Sequence, residues 1–177
     1  MKKLSLLLAL CVTAVFLLTA CSERFFSSEE TDYAEYIEKV VGAKEYMPSL
    51  AEAGEYTSFE ATYKHSRTAL LYELDTVGLF LTFEDDKAFA DALDGLSFEY
   101  IFYDDYPDEE KTDYIAEVGG YEIRMVKEEY ELEVYKSAFL VGVNEEKHKI
   151  CYLCYYDFDM DSLADLDSYI EEHFYLK

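Results

Sequence analysis

The sequence predicts an α+β fold: a single domain in which an antiparallel sheet packs against helices on one face, after a cleaved signal peptide. Three observations carry this expectation. Phe59, Ala61 and Tyr63 alternate with Glu60, Thr62 and Lys64, the period of a half-buried strand. Gly119-Gly120 separates two further strand-like stretches, and paired glycines supply the positive φ that both central residues of a type I′ hairpin turn need. Amphipathic stretches flank the strand-rich region. Tyr33, Tyr36, Ile37, Val40 and Val41 form one helical stripe, and Leu163, Leu166, Ile170 and Phe174 form another.

Taken in order, the chain opens on Lys2 and Lys3, then runs apolar from Leu4 to Leu18 with only Ser5 and Thr13 interrupting. That run is shorter than the roughly 20 residues of a membrane span and suits a secretory signal. It ends in Leu18-Thr19-Ala20-Cys21. An aliphatic residue, two small residues and a cysteine in this order resemble the lipobox of bacterial lipoprotein precursors. The resemblance covers residues 1–21. It implies removal of 1–20, a diacylglycerol on the Cys21 thiol, and an extracytoplasmic location on the cell membrane. Two acyl chains anchor stably where one is marginal. Ser22 to Glu30 is polar apart from Phe25-Phe26, so residues 21–31 are expected to be a lipidated tether before an acidic domain over 32–177. Such a tether would let the body stand clear of an anionic membrane surface.

Asp32 and Glu35 offer a capping box for a helix through about Val41, and Ser49 with Glu52 caps a short turn that Gly54 ends. Strands are expected over 59–64, 70–74 and 77–83. Asp85-Asp86 then opens a helix with Phe89, Leu93 and Leu96 on one face, and Ser97 to Tyr103 reads as another strand. Asp104 to Asp113, around Pro107, is a loop. Tyr114–Val118 with Tyr121–Val126, and Leu132–Val143 with Lys149–Phe158, read as two hairpins before a final helix capped by Ser162–Asp165. From Val77 onward this order resembles a curved sheet gripping a long helix. Phe89-Ala90-Asp91 and Leu163-Ala164-Asp165 hint at a repeated strand–helix unit.

Composition narrows the function classes. The 177 residues hold 39 Asp and Glu against 15 Lys and Arg, a formal charge of −24. Nucleic-acid binders gain affinity by setting Lys and Arg against phosphates, so this class is excluded. Acidity of that order accompanies disorder only where apolar residues are scarce, and here 51% are hydrophobic, with 18 tyrosines. The chain can build a core.

Candidate chemistry is thin. Cys151 and Cys154 lie in the aromatic stretch Ile150–Tyr156. A strand there points residues three apart to opposite faces, out of disulfide reach. Asp157, Asp159, Asp161 and Asp165 match alternate positions of a calcium loop, but Ser162 replaces its glycine and Ser168 its terminal glutamate. Strand-end and helix-cap acids explain the run better, leaving weak divalent-cation binding as the expectation. Lys64-His65-Ser66-Arg67 and Lys147-His148-Lys149 are the basic islands. The first is either an anion clamp on a loop or local neutralisation of acidic surface, with the second reading favoured. No catalytic residue, metal site or cofactor is assigned.

The aromatic run Phe98, Tyr100, Phe102 enters the acidic loop through Tyr103, Asp104, Asp105 and Tyr106. Aromatic anchors beside carboxylates suit recognition of basic peptides, amines or sugars. The expected function is a non-enzymatic, membrane-anchored binding domain for a cation or a basic cell-envelope partner. Its rivals are a secreted hydrolase or enzyme accessory domain, which a concave pocket with convergent polar groups would favour, and a purely structural envelope protein.

Overall fold

A computed structural model of the chain describes residues 21–68, 72–99, 115–125, 137–157 and 165–176. Strands β1 (Cys21–Ser27), β2 (Ser58–Thr68), β3 (Tyr72–Thr82), β4 (Ile115–Val118), β5 (Tyr121–Met125), β6 (Ser137–Asn144) and β7 (Lys149–Asp157) form one sheet. Its spatial order is β1-β2-β3-β7-β6-β5-β4, antiparallel throughout. Four helices among the described residues accompany it: α1 (Glu30–Lys39), α2 (Ala43–Tyr46), α3 (Asp86–Glu99) and α4 (Leu166–Phe174). The α+β class holds. None of these helices is long and apolar enough to cross a membrane.

Several local expectations hold for the reasons that predicted them. Gly119 and Gly120 take φ of 61° and 81° between β4 and β5, as a type I′ turn requires. The Ser49 amide and hydroxyl both donate to the Glu52 carboxylate, at 2.9 and 2.7 Å. Cys151 and Cys154 lie on opposite faces of β7, in separate core layers.

Other expectations need correction. Residues 21–27, read as tether, form edge strand β1, with Phe25 opposite Tyr63 and Phe26 opposite Thr62. The Phe25 ring stacks on Tyr63 at 5.9 Å, and this contact turns a polar stretch into a strand. Helix α1 starts at Glu30, and Asp32 accepts a hydrogen bond from the Ser27 hydroxyl at 2.6 Å instead of capping the helix. Residues 72–74 and 77–82 of the two expected stretches belong to one strand, β3, while 70–71 lie outside the described residues. Ser97–Glu99 extend α3 and are not strand, while 100–103 lie outside the described residues.

The largest correction concerns layering. Helices cover both faces. Tyr33 and Tyr36 of α1, Val40 at its C-cap, Ala43 of α2, and Phe89 and Leu96 of α3 pack on Leu79, Leu81, Val141 and Tyr152. Leu166, Ile170 and Phe174 of α4 pack on the other face, over Ile123, Leu140, Leu153 and Tyr155. The near-continuous apolar runs of β6 and β7 require this, because a strand buried on both faces loses polar alternation. Nine residues form no stable helix alone. Burial of Leu166, Ile170 and Phe174, about 2 kcal/mol each, therefore holds α4. This arrangement also departs from a sheet gripping one long helix. A rotation relating antiparallel β3 and β7 would put their following helices on the same face, and α3 and α4 take opposite faces.

Between α4 and the sheet the fit is tight at Gly142. A Cβ there would stand 2.6 Å from Cys151 Sγ and 2.7 Å from Ile123 Cγ1, both fully buried. Gly142→Ala is expected to cost about 2 kcal/mol by overpacking, read as a lower urea midpoint at unchanged slope. An unchanged midpoint would show that this layer yields.

Candidate functional site

Strand registers place Cys21, Arg67, Ser137 and Asp157 toward one end of the sheet, which the short β4–β5 hairpin does not reach. Ser27, Ser58, Thr82, Tyr121, Asn144 and Lys149 lie at the other. A groove of about 510 Å³ opens at this second end, on the α4 face. Glu60 and Thr62 of β2, Phe80 and Thr82 of β3, and Lys149 of β7 form its floor. Phe26, Tyr121 and the segment Phe174–Leu176 wall it, and Lys147 is at its rim. Strand alternation explains the floor: Glu60 and Thr62, like Phe80 and Thr82, are two apart and share a face.

The β6–β7 turn positions the two lysines. The Lys147 amide donates to Asn144 Oδ1 at 2.9 Å, and Asn144 is itself buried. His148 takes a left-handed φ of 47° and turns away, stacking on Phe89 at 4.9 Å with Nδ1 3.5 Å from Asp86. Its carbonyl accepts from the Phe83 amide at 3.0 Å. Across the groove, burial first and then the neighbouring Cys151 and Glu60 push the Tyr121 phenol up, so it stays a neutral hydroxyl.

A buried polar pair lies beneath α4 on the same face. Lys64 Nζ is 2.7 Å from His173 Nδ1, and the Thr76 hydroxyl donates to the His173 carbonyl at 3.5 Å. Burial and the adjacent Lys64 hold the His173 imidazole down at about pH 4. Burial, then Arg24, lowers the Lys64 ammonium from its ordinary range. The imidazole is therefore neutral, accepts at Nδ1 and carries its proton on Nε2. Arg24 lies over the Tyr175 ring at 4.4 Å, where the chain leaves α4.

On the opposite face, Asp75 Oδ1 accepts from the Tyr63 hydroxyl at 2.9 Å and lies 2.8 Å from His65 Nδ1. Lys39 Nζ is 5.1, 5.7 and 6.0 Å from the ring centroids of Tyr63, Tyr36 and Phe25, and pairs with Glu35 at 2.7 Å. The chain thus holds one of its own ammonium groups among aromatic rings and a carboxylate.

These positions sort the sequence candidates. Tyr103, Asp104, Asp105 and Tyr106 lie outside the described residues. Cys21 begins β1 and pairs with Arg67. The basic stretch 64–67 is strand, not loop. Alternation sends His65 to Asp75 on one face and Lys64 to His173 on the other, so it does not act as one clamp. Of the aspartate run, buried Asp157 accepts from the Tyr169 hydroxyl at 3.4 Å, and Asp165 caps α4 by accepting from the Ser168 amide at 3.2 Å. Asp159 and Asp161 lie outside the described residues, among which no cluster with metal-ligand geometry occurs. The groove residues Phe26, Thr62 and Phe80 carry no sequence signal of their own. The signal that could have found the site was Lys147-His148-Lys149, a basic island in an acidic chain.

No family model, curated protein or solved structure matches the chain.

Proposed function

We propose that this protein is a lipid-anchored, extracytoplasmic binding domain that presents the groove at the end of its sheet remote from the membrane. The observation that carries the reading is the placement of Cys21 and the groove at opposite ends of the sheet. A diacylglycerol on Cys21 would seat the Arg67 end against the bilayer. Nine residue steps along β2 then separate Arg67 from Ser58, about 30 Å at strand rise. A concavity lined by aromatic rings and a few convergent polar groups is the ordinary form of a small-molecule site.

A second reading assigns the acidic exterior to a basic partner, through the residues Tyr103, Asp104, Asp105 and Tyr106 and through weak divalent-cation binding. Two observations favour it: the net charge of −24 and the seating of Lys39 among Phe25, Tyr36, Tyr63 and Glu35.

The anchored reading is tested by depth. The lipidated chain, carrying a fluorophore at Arg67→Cys or at Lys147→Cys, is reconstituted in vesicles containing a headgroup quencher. Strong quenching at Arg67 and little at Lys147 is expected. Equal quenching at both positions would overturn the orientation.

A further inference from the structure

Of the nine described Lys and Arg, Lys39, Lys44, Lys87 and Arg124 pair with a carboxylate, and Arg24, Lys64 and Arg67 do not. Among the described residues, Lys147 and Lys149 have no acid within ion-pair distance, and both border the same groove. The turn that carries them is fixed beforehand by the Asn144 side chain and by His148, docked on Phe89. Little ordering is left for a ligand to induce.

The rest of the groove narrows the ligand. Ser58 and Thr82 share a cross-strand row with Lys149, and all three line the groove. Phe80 and Phe174 supply an apolar surface next to that row. Glu60, two residues along β2 on the same face, opposes a second negative charge and so disfavours a dianion.

We propose that the groove binds a small organic monocarboxylate with an aromatic or branched apolar body. Lys147 and Lys149 hold the carboxylate, and Phe80 and Phe174 carry the body. The inference rests on reading the protein as a binding domain and is independent of how it is anchored.

The test is isothermal titration of the full chain in detergent with indole-3-acetate, with tryptamine (the same ring bearing an ammonium) and with inorganic phosphate. Saturable binding of indole-3-acetate is expected. Charge-assisted hydrogen bonds are the strong ones, so Lys149→Gln and Lys147→Gln should each weaken it roughly ten-fold. Lys44→Gln, distant and exposed, should leave it unchanged. Phosphate binding as tightly as indole-3-acetate would overturn the apolar half of the assignment, and equal affinity in all three lysine variants would overturn its location. Tryptamine binding alone would overturn the charge assignment while leaving a binding domain of the basic-partner kind. Binding of none of the three would overturn the use of the groove, and the depth measurement would still decide the anchoring.

Discussion

Cells expressing the Cys21→Ser variant are expected to incorporate no labelled fatty acid into this chain, whereas wild type is labelled. The expectation rests on Leu18-Thr19-Ala20-Cys21 at the end of the apolar run. The effect should be all or none. Each buried methylene contributes about 0.8 kcal/mol to anchoring, so removing two acyl chains removes the whole interaction. The fold should not report the change, because β1 is held through its pairing from Cys21 to Ser27 with β2. The urea midpoint should therefore match that of wild type, within the ±0.5 kcal/mol of ordinary surface substitutions. Label entering the variant would show that another residue carries the lipid. The strand start at Cys21 also changes the expected geometry. A lipid on Cys21 would leave no slack before β1, so the anchored sheet end would lie within the roughly 8 Å screening length of a membrane surface and would not stand clear of it. Arg67 faces Cys21 across that end, where a cation suits an anionic bilayer.

The legible parts of the fold were those where one residue type has one physical use. Paired glycines at 119–120 specified a hairpin, and alternation at 59–64 specified a strand. Three other features were harder to read, each for its own reason. β1 reads as polar linker because its partners, Tyr63 and Thr62, lie more than thirty residues away. The last turn of α3 reads as strand because aromatic residues serve both structures. The second helical layer was implicit in β7, whose consecutive buried residues from Ile150 to Tyr155 leave no polar face. That signal was present, and tyrosine obscured it. Tyr155 looks like an outer-face residue and is fully buried under α4, its ring 4.9 Å from that of Tyr169. The groove was the least legible feature, since its floor takes only one or two residues from each of three strands.

Acidification from pH 7 to 4.5 should destabilise the protein through His173, even though lower pH relieves the mutual repulsion of 39 acids. In the folded state burial, and then Lys64, hold this imidazole at about pH 4, against about 6.5 in the unfolded chain. The folded form therefore disfavours the protonated ring. Between those values the unfolded state binds more protons, so stability falls as pH drops from 6.5 toward 4 and is flat in this contribution outside that window. A difference of that size corresponds to about 3 kcal/mol across the window, a large fraction of a typical domain's stability. The geometry states the cause. A proton on Nδ1 removes the acceptor 2.7 Å from Lys64 Nζ and sets two cations together under α4, with Arg24 also near. Glu172 opposes the shift but is outweighed. His173→Gln keeps an acceptor for Lys64 and removes the titration. Urea unfolding at pH 7 and 4.5 should show wild type losing 2–3 kcal/mol more than the variant. Relief of acid repulsion acts on both proteins and cancels in that difference. Equal losses would place the acid sensitivity elsewhere and leave the Lys64–His173 pair as packing alone.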